Sequence, residues 1–199
     1  MIVDNDVPLR AVLFDAGNTL LFLDYPRMAA AVGAALDLPL TGSGLAAGAA
    51  VATRAMEGPR VDDRARAAAY LEALFLEAGV PADRLPAVME CLADLHAERH
   101  LWSGTAPGTH DALARLRRAG LRLGVVSNSD GRVAEALEAA GLRQYFDVVV
   151  DSTLAGVEKP DPAIFRAALG ALEVRPAEAL YVGDLYEVDV VGAHAAGIP

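Results

Sequence analysis

Chemically reactive side chains recur in this sequence after short apolar segments that are predicted to form β-strands. In an open parallel sheet, ligands bind at the carboxyl ends of the strands, so such groups are predicted to gather at one edge. Carboxylates can act as nucleophiles or as ligands of a hard metal ion, and an ammonium can balance the charge of an anionic substrate. The residues concerned are Asp15, Ser127, Asn128, Lys159, Asp184 and Asp189.

Each of these residues also has a purely structural explanation. An aspartate after a strand is commonly a turn former or a helix N-cap. Ser127 and Asn128 could cap the following helix, and Lys159 could be a solvated loop charge. Taken together these explanations are weak, because four separate strands would each have to end in a suitable group by chance.

Lys159 is the only lysine of the chain, beside 16 arginines. Codon bias with one leftover lysine is the simple explanation. The carboxylates predicted to lie nearby favour a second explanation, which is that a compact positive charge is needed at this position.

The elements that must position these groups follow from the pattern of apolar residues. Leu9–Phe14 is predicted to be a buried strand. After Pro107 the chain alternates between helix and strand, which is typical of right-handed βαβ units and a parallel sheet with helices on both faces. The predicted fold class is therefore α/β, with a Rossmann-like core. The later predicted elements are helices near 109–119, 131–140, 161–171 and from 186, and strands at 121–126, 146–150 and 179–182.

A block rich in alanine and leucine interrupts this alternation directly after the first strand. Its predicted helices lie near 25–36, 43–57, 62–78 and 82–100. Because the block is inserted into the α/β pattern, it is predicted to form a helical cap. The predicted domains are an α/β core of residues 1–22 and 104–199 and a cap of residues 23–103.

Four segments, in this order, resemble the motifs of the haloacid dehalogenase superfamily, and the resemblance covers essentially the whole chain. The helical insert directly after the first motif resembles the first cap type of that family. The segments are Phe14-Asp15-Ala16-Gly17-Asn18-Thr19-Leu20, Val126-Ser127-Asn128, Val157-Glu158-Lys159-Pro160-Asp161, and Gly183-Asp184 through Asp189.

The resemblance implies a catalytic carboxylate and a metal ion. Asp15 would be the nucleophile that forms an aspartyl-phosphate, which divides one hard displacement into two easier steps. Mg²⁺ would be held by Asp15, the backbone carbonyl of Gly17 and Asp184, and Asp189 would orient a metal-bound water or another ligand.

The resemblance also implies a phosphate site. Ser127 and the backbone N–H of Asn128 would bind phosphate oxygens. Lys159 would balance the charge of the carboxylates and the phosphate, and the nearby carboxylates would favour its charged form.

Gly17 is the one departure from the family pattern. Phosphatases of this family usually carry a second aspartate there, which protonates the leaving oxygen and then activates water. Glycine keeps the backbone carbonyl but removes that acid. The predicted function is Mg²⁺-dependent hydrolysis of a small phosphate monoester, with the substrate unassigned. A carboxylate of the cap, such as Glu57 or Asp62, is an alternative source of the proton.

Branches of this family differ at position 17, which leaves three alternative functions to weigh. The first is a catalytically weak phosphate-binding or interaction protein on the same scaffold. The second is a 2-haloacid dehalogenase, which places a tyrosine there and dispenses with metal, whereas Asp184 and Asp189 favour metal. The third is a phosphonoacetaldehyde hydrolase, which needs a cap lysine that this chain lacks.

Composition limits the classes of partner and compartment. A net charge of −10 disfavours nucleic acid and anionic membranes as partners. The single cysteine, Cys91, excludes an internal disulfide and favours a reducing cytoplasm. Neither a membrane-spanning stretch nor a signal peptide is predicted. Ala195-Ala196-Gly197 is predicted to end a helix and lead into a further strand. The oligomeric state stays open.

Overall fold

The computed structural model describes residues 7–54 and 63–199. The chain divides into two compact units. The sheet unit consists of Met1–Phe22 and Trp102–Pro199, and the helical unit consists of Leu23–Leu101.

The elements alternate in the sheet unit and are helical in the inserted unit. In chain order they are β1 (Ala11–Phe14), β2 (Phe22–Leu23), α1 (Tyr25–Leu36), α2 (Gly42–Arg54), α3 (Asp63–Glu77), α4 (Leu85–Glu98), β3 (Trp102–Gly104), α5 (Thr109–Arg118), β4 (Arg122–Ser127), α6 (Val133–Ala139), β5 (Val148–Asp151), α7 (Ser152–Ala155), α8 (Pro162–Ala171), β6 (Ala179–Val182) and α9 (Val191–Ala195).

Four strands of the sheet unit form one parallel sheet in the order β5-β4-β1-β6. Phe14, the last residue of β1, lies opposite Val125 of β4 and Val182 of β6. The residues after β1, β4 and β6 therefore leave the sheet at the same edge. This topology confirms the predicted α/β fold class.

Side-chain alternation along β1 divides the core into two layers. Ala11 and Leu13 pack with residues of α8 and α9, whereas Val12 and Phe14 pack with residues of α5 and α6. Successive residues of a strand point to opposite faces, so a continuous apolar strand needs helices on both faces of its sheet. β1 is accordingly the buried centre of the sheet unit.

The helical unit consists of α1 to α4, with α1 packed against α2 and α4, and α2 packed against α3. Its fully buried side chains include Met28, Leu74 and Phe75. The predicted helix 82–100 instead opens with a 3₁₀ turn, and α4 begins at Leu85. Proline is tolerated only in the first turn of an α-helix, and Pro86 lies in that turn.

Other boundaries differ slightly from the predicted ones. β4 and β5 each end one residue later than predicted, so Ser127 and Asp151 are the last residues of their strands. The sheet unit resumes at Trp102 rather than at residue 104, because the Trp102 side chain packs against the apolar layer beneath β1. The short elements β2, β3 and α7 were not predicted. Glu57 and Asp62 lie outside the described residues.

The helices of residues 7–54 and 63–199 are all too short or too polar to cross a lipid bilayer.

Candidate active site

Asp15 and Lys159 form a buried ion pair where β1 ends. The backbone N–H of Asp15 donates to the carbonyl of Val182 at 2.8 Å, which continues the β1–β6 pairing by one residue. The Lys159 Nζ donates to Asp15 Oδ1 at 2.6 Å. Asp15 is 6% exposed and Lys159 is 4% exposed. No described residue forms a hydrogen bond to Asp15 Oδ2, so that oxygen keeps its lone pairs for another partner.

The ammonium of Lys159 has two further acceptors. Its Nζ donates to Asp189 Oδ1 at 2.7 Å and to the hydroxyl of Tyr181 at 3.1 Å. Asp189 is 1% exposed, so two buried carboxylates share one buried ammonium.

The electrostatics of the site follow from this burial. Burial raises the pKa of Asp15 to about 6, because desolvation and the Asp189 charge outweigh the opposing effect of Lys159. Burial acts to lower the pKa of Lys159, but the Asp15 and Asp189 carboxylates outweigh it, so the pKa is raised and the ammonium stays charged. The pKa of Asp184 is raised by partial desolvation and then by Asp189.

Glycine at position 183 allows Asp189 to reach the ammonium. A Cβ on Gly183 would lie 2.4 Å from the Cγ of Asp189, so any other residue would displace that carboxylate. A π-helical turn at Tyr186–Val190 carries Asp189, and the backbone N–H of Leu185 donates to Asp189 Oδ2 at 2.9 Å. The predicted final helix therefore begins irregularly, with Asp189 directed into the site.

Asp184 is linked to the first motif through Asn18. The Asn18 Nδ2 donates to Asp184 Oδ2 at 3.3 Å, and the indole Nε1 of Trp102 donates to Asn18 Oδ1 at 3.3 Å. Asn18 has a φ of 54°, a left-handed conformation that asparagine tolerates better than most residues. The predictions from sequence named neither Asn18 nor Trp102 as a site residue.

Asn128 holds the backbone of Lys159 with its side chain. Its Oδ1 accepts from the Lys159 backbone N–H at 2.7 Å, and its Nδ2 donates to the Lys159 carbonyl at 3.0 Å. Ser127 is 4% exposed at the end of β4, and its hydroxyl forms no hydrogen bond within the described residues. The sequence had suggested only a backbone role for Asn128, and its amide side chain positions the lysine as well.

Asp151 organises the loop that follows Ser127. Its buried carboxylate accepts hydrogen bonds from the backbone N–H groups of Gly131, Val133 and Thr153 at 3.0 to 3.3 Å. This residue was missed, although an aspartate at the end of a strand is the same signal that singled out Asp15.

Gly17 lies beside the indole of Trp102. A Cβ on Gly17 would meet the Nε1 and Cδ1 atoms of Trp102 at 3.7 and 3.8 Å, which are ordinary contacts. Gly17 is not among the glycines with a positive φ. The position therefore accepts a side chain without backbone strain.

A family model for haloacid dehalogenase-like hydrolases matches residues 9–197. The chain belongs to the haloacid dehalogenase-like hydrolase family. Haloacid dehalogenase-like hydrolase domain-containing protein 3 of Bos taurus is 40% identical over 125 residues, which cover 62% of this chain and 49% of the relative. A phosphoserine phosphatase of Thermus thermophilus is 37% identical over 130 residues, which cover 65% of this chain and 52% of the relative. The chain spans about half the length of the curated relatives it matches.

Solved structures agree with the fold of this chain. The HAD-hydrolase YfnB from Bacillus subtilis, described as bound to magnesium, aligns with a TM-score of 0.65 at 22% identity. The alignment covers 96% of this chain and 86% of YfnB. At that identity the likeness supports the fold alone.

The oxygen donors of the site suit a hard divalent cation. Asp15, Asp184 and Asp189 supply three carboxylates against the single ammonium of Lys159, so the ionised site carries excess negative charge. Mg²⁺ prefers oxygen ligands and is usually held by one or two carboxylates together with water and phosphate. Asp15 and Asp184 are the residues that would hold it.

Replacing Lys159 is expected to destabilise the protein in a pH-dependent way. Lys159→Ala leaves two buried carboxylates without their ammonium, which costs roughly 3–5 kcal/mol of unfolding free energy at neutral pH. The pKa of Asp15, already about 6 against an ordinary 3.8, rises further without Lys159. The folded variant then takes up protons more readily than the unfolded chain, so its stability recovers as the pH falls from neutral.

Urea denaturation in the presence of a chelator, at about pH 7.5 and about pH 5, measures this effect. Arg166→Ala, which removes an exposed cation from α8, is the matched control and is expected to change little. A pH-independent loss, or no loss at all, would show that the carboxylates do not depend on Lys159.

Proposed function

We propose that this hydrolase is a phosphatase that cleaves small phosphate monoesters through an aspartyl-phosphate on Asp15. The observation that carries the proposal is the placement of Asp15. Its carboxylate lies at the end of the central strand with one oxygen held by Lys159 and the other without a hydrogen bond from the described residues. At neutral pH a pKa of about 6 leaves it mainly ionised and therefore nucleophilic.

Two displacements complete the proposed cycle. A carboxylate oxygen of Asp15 forms a bond to phosphorus as the bond from phosphorus to the leaving oxygen breaks. Water then attacks phosphorus, releases inorganic phosphate and regenerates the carboxylate. Lys159 stays paired with Asp15 Oδ1 and offsets negative charge throughout.

Bound Mg²⁺ would neutralise phosphate charge and thereby permit attack by an anion. Asp15, the Gly17 carbonyl and Asp184 are its proposed ligands, and Asp189 supports the arrangement through Lys159. Support comes from the excess of carboxylates over the single ammonium at the site.

The hydroxyl of Ser127 and the backbone N–H of Asn128 are the proposed phosphate contacts. The Ser127 hydroxyl has no hydrogen bond within the described residues, and the Asn128 side chain already holds the lysine loop. The phosphoserine phosphatase relative supports a phosphorylated small molecule as substrate. By its position directly after the first motif, the helical unit is the proposed cap.

Gly17 determines which esters react fast. Without an acid there, the leaving oxygen departs without a proton from this position, so aryl and acyl phosphates are expected to react far faster than alkyl phosphates. The test is a panel of monoesters of graded leaving-group acidity, assayed for phosphate release with Mg²⁺. A flat profile with good turnover of alkyl phosphates would contradict this role of Gly17.

A second candidate is a phosphate-binding protein with little turnover, which the glycine at position 17 also favours. The same panel distinguishes the two, because a binding protein would bind inorganic phosphate while leaving even the aryl esters intact.

Restoring the acid is expected to raise turnover selectively. Gly17→Asp is compatible with the backbone, and among the described residues its Cβ would meet the indole edge of Trp102 alone. A positioned general acid–base is typically worth about 10²–10⁴-fold, so we expect at least about a tenfold gain on alkyl phosphates and a smaller gain on aryl phosphates.

Gly17→Asn is the matched control, since it has nearly the same shape but no transferable carboxyl proton. Equal gains in the two variants, or an equal gain on both ester classes, would exclude acid–base catalysis as the cause.

A further inference from the structure

We propose that Tyr181 is a positioning residue, whose hydroxyl fixes the Lys159 ammonium in the orientation that serves Asp15. The inference rests on the proposed function and concerns how its charge-balancing group is held. Tyr181 is the third residue of β6, and its hydroxyl lies 3.1 Å from Lys159 Nζ, 3.0 Å from Asp189 Oδ1 and 3.1 Å from the carbonyl oxygen of Val126.

The donors available on Lys159 and Tyr181 determine the direction of these hydrogen bonds. A lysine ammonium has three N–H donors and no acceptor, so the Tyr181 oxygen must accept from Lys159. The single hydroxyl proton then goes to Asp189 or to the Val126 carbonyl. Asp15, Asp189 and Tyr181 together occupy all three N–H groups of the ammonium.

All three N–H groups of the Lys159 ammonium are hydrogen-bonded within the protein, and this limits how the ammonium can contact a phosphate. A phosphate oxygen could contact Lys159 only by replacing one of its protein acceptors. In the observed arrangement Lys159 therefore acts on the phosphoryl group through the carboxylate of Asp15. Tyr181 completes this arrangement, because without its oxygen one N–H would be free to turn towards another acceptor.

Tyr181 is itself held on two sides. Its ring packs edge-on against Phe165 with centroids 5.0 Å apart. Its hydroxyl connects β6 to the carbonyl of Val126, the second-last residue of β4. Burial and the nearby carboxylates raise the pKa of Tyr181, so the hydroxyl stays neutral and keeps its proton. A rigid neutral hydroxyl can orient an ammonium without adding charge.

The kinetic test removes only the hydroxyl. Tyr181→Phe keeps the ring and its packing, so we expect kcat for an aryl phosphate to fall about tenfold while KM and inhibition by inorganic phosphate change less than about twofold. Tyr145→Phe is the matched control, since it removes a hydroxyl whose hydrogen bond within residues 7–54 and 63–199 is to His110, at 3.4 Å, and it is expected to leave kcat unchanged. Unchanged kcat in Tyr181→Phe, or tighter phosphate binding through a freed N–H, would overturn the inference.

A second measurement is independent of catalysis. Because Lys159 is the only lysine, ¹⁵N-lysine labelling yields a single side-chain ammonium signal from the whole chain. We expect a slowly exchanging ammonium in the unmodified protein and clearly faster hydrogen exchange in Tyr181→Phe, but not in Tyr145→Phe. Equal exchange in all three proteins would overturn the positioning role. If exchange is faster in Tyr181→Phe but the unmodified protein releases no phosphate, the contact between Tyr181 and Lys159 stands and the proposed function is rejected.

Discussion

Asp15→Asn is expected to abolish phosphate release, with a loss of roughly 10⁴-fold or more, in the range seen when a catalytic nucleophile is removed. The amide has the same shape as the carboxylate and its Oδ1 can still accept from Lys159, so the local fold is retained. Only the negative charge and the nucleophilic lone pair are lost. Steady-state phosphate release from the best aryl phosphate measures the effect.

Asp111→Asn is the control for this substitution. Asp111 is an exposed carboxylate in the first turn of α5, and its replacement should leave turnover within about twofold. Thermal unfolding of both variants verifies that they are folded. Near-normal turnover in a folded Asp15→Asn protein would exclude covalent catalysis through this residue.

If the protein is the proposed phosphatase, removal of divalent metal is expected to reduce phosphate release to background. The reason is electrostatic, because Lys159 offsets only one of the three carboxylates of Asp15, Asp184 and Asp189. An anionic nucleophile cannot approach an anionic phosphate closely unless further positive charge is present. The measurement is phosphate release with excess chelator, followed by recovery on adding Mg²⁺.

Binding of Mg²⁺ alone provides a readout separate from activity. A ligand that binds only the folded state raises its thermal stability, so Mg²⁺ should raise the melting temperature of the unmodified protein. The rise should be lost in Asp184→Asn and retained in Asp111→Asn. Full activity in excess chelator would reject the metal requirement, and halide release from 2-haloacids would then be the next assay.

The sheet could be predicted because its strands are short, apolar and bounded by turn-forming residues. Alternation of these strands with helices after Pro107 left a parallel sheet as the consistent topology. The short strand β3 was missed because Trp102–Gly104 is too brief for any periodicity to be visible. The π-helical turn at Tyr186–Val190 was not predicted, and it carries Asp189, which pairs with Lys159.

The side chains at the strand ends were predictable for a similar reason. Parallel strands end at a common edge, so the segments after β1, β5 and β6 were expected to meet there, and Asp15, Lys159 and Asp189 of these segments do lie together. Tyr181 could not be found this way. Its position in β6 is visible in the sequence, but its hydroxyl bonds depend on how β4 and the lysine loop are placed in space.

The central claim is that Asp15 becomes phosphorylated during turnover, and trapping that species tests it most directly. Because Gly17 provides no base for water attack, the aspartyl-phosphate is expected to persist long enough for acid quenching after mixing with an aryl phosphate and Mg²⁺. Peptide mass spectrometry should then find one phosphoryl group on the peptide containing Asp15, and none in Asp15→Asn. Phosphate release at a normal rate with no phosphorylated peptide at any quench time, or with the phosphoryl group on another residue, would contradict the account.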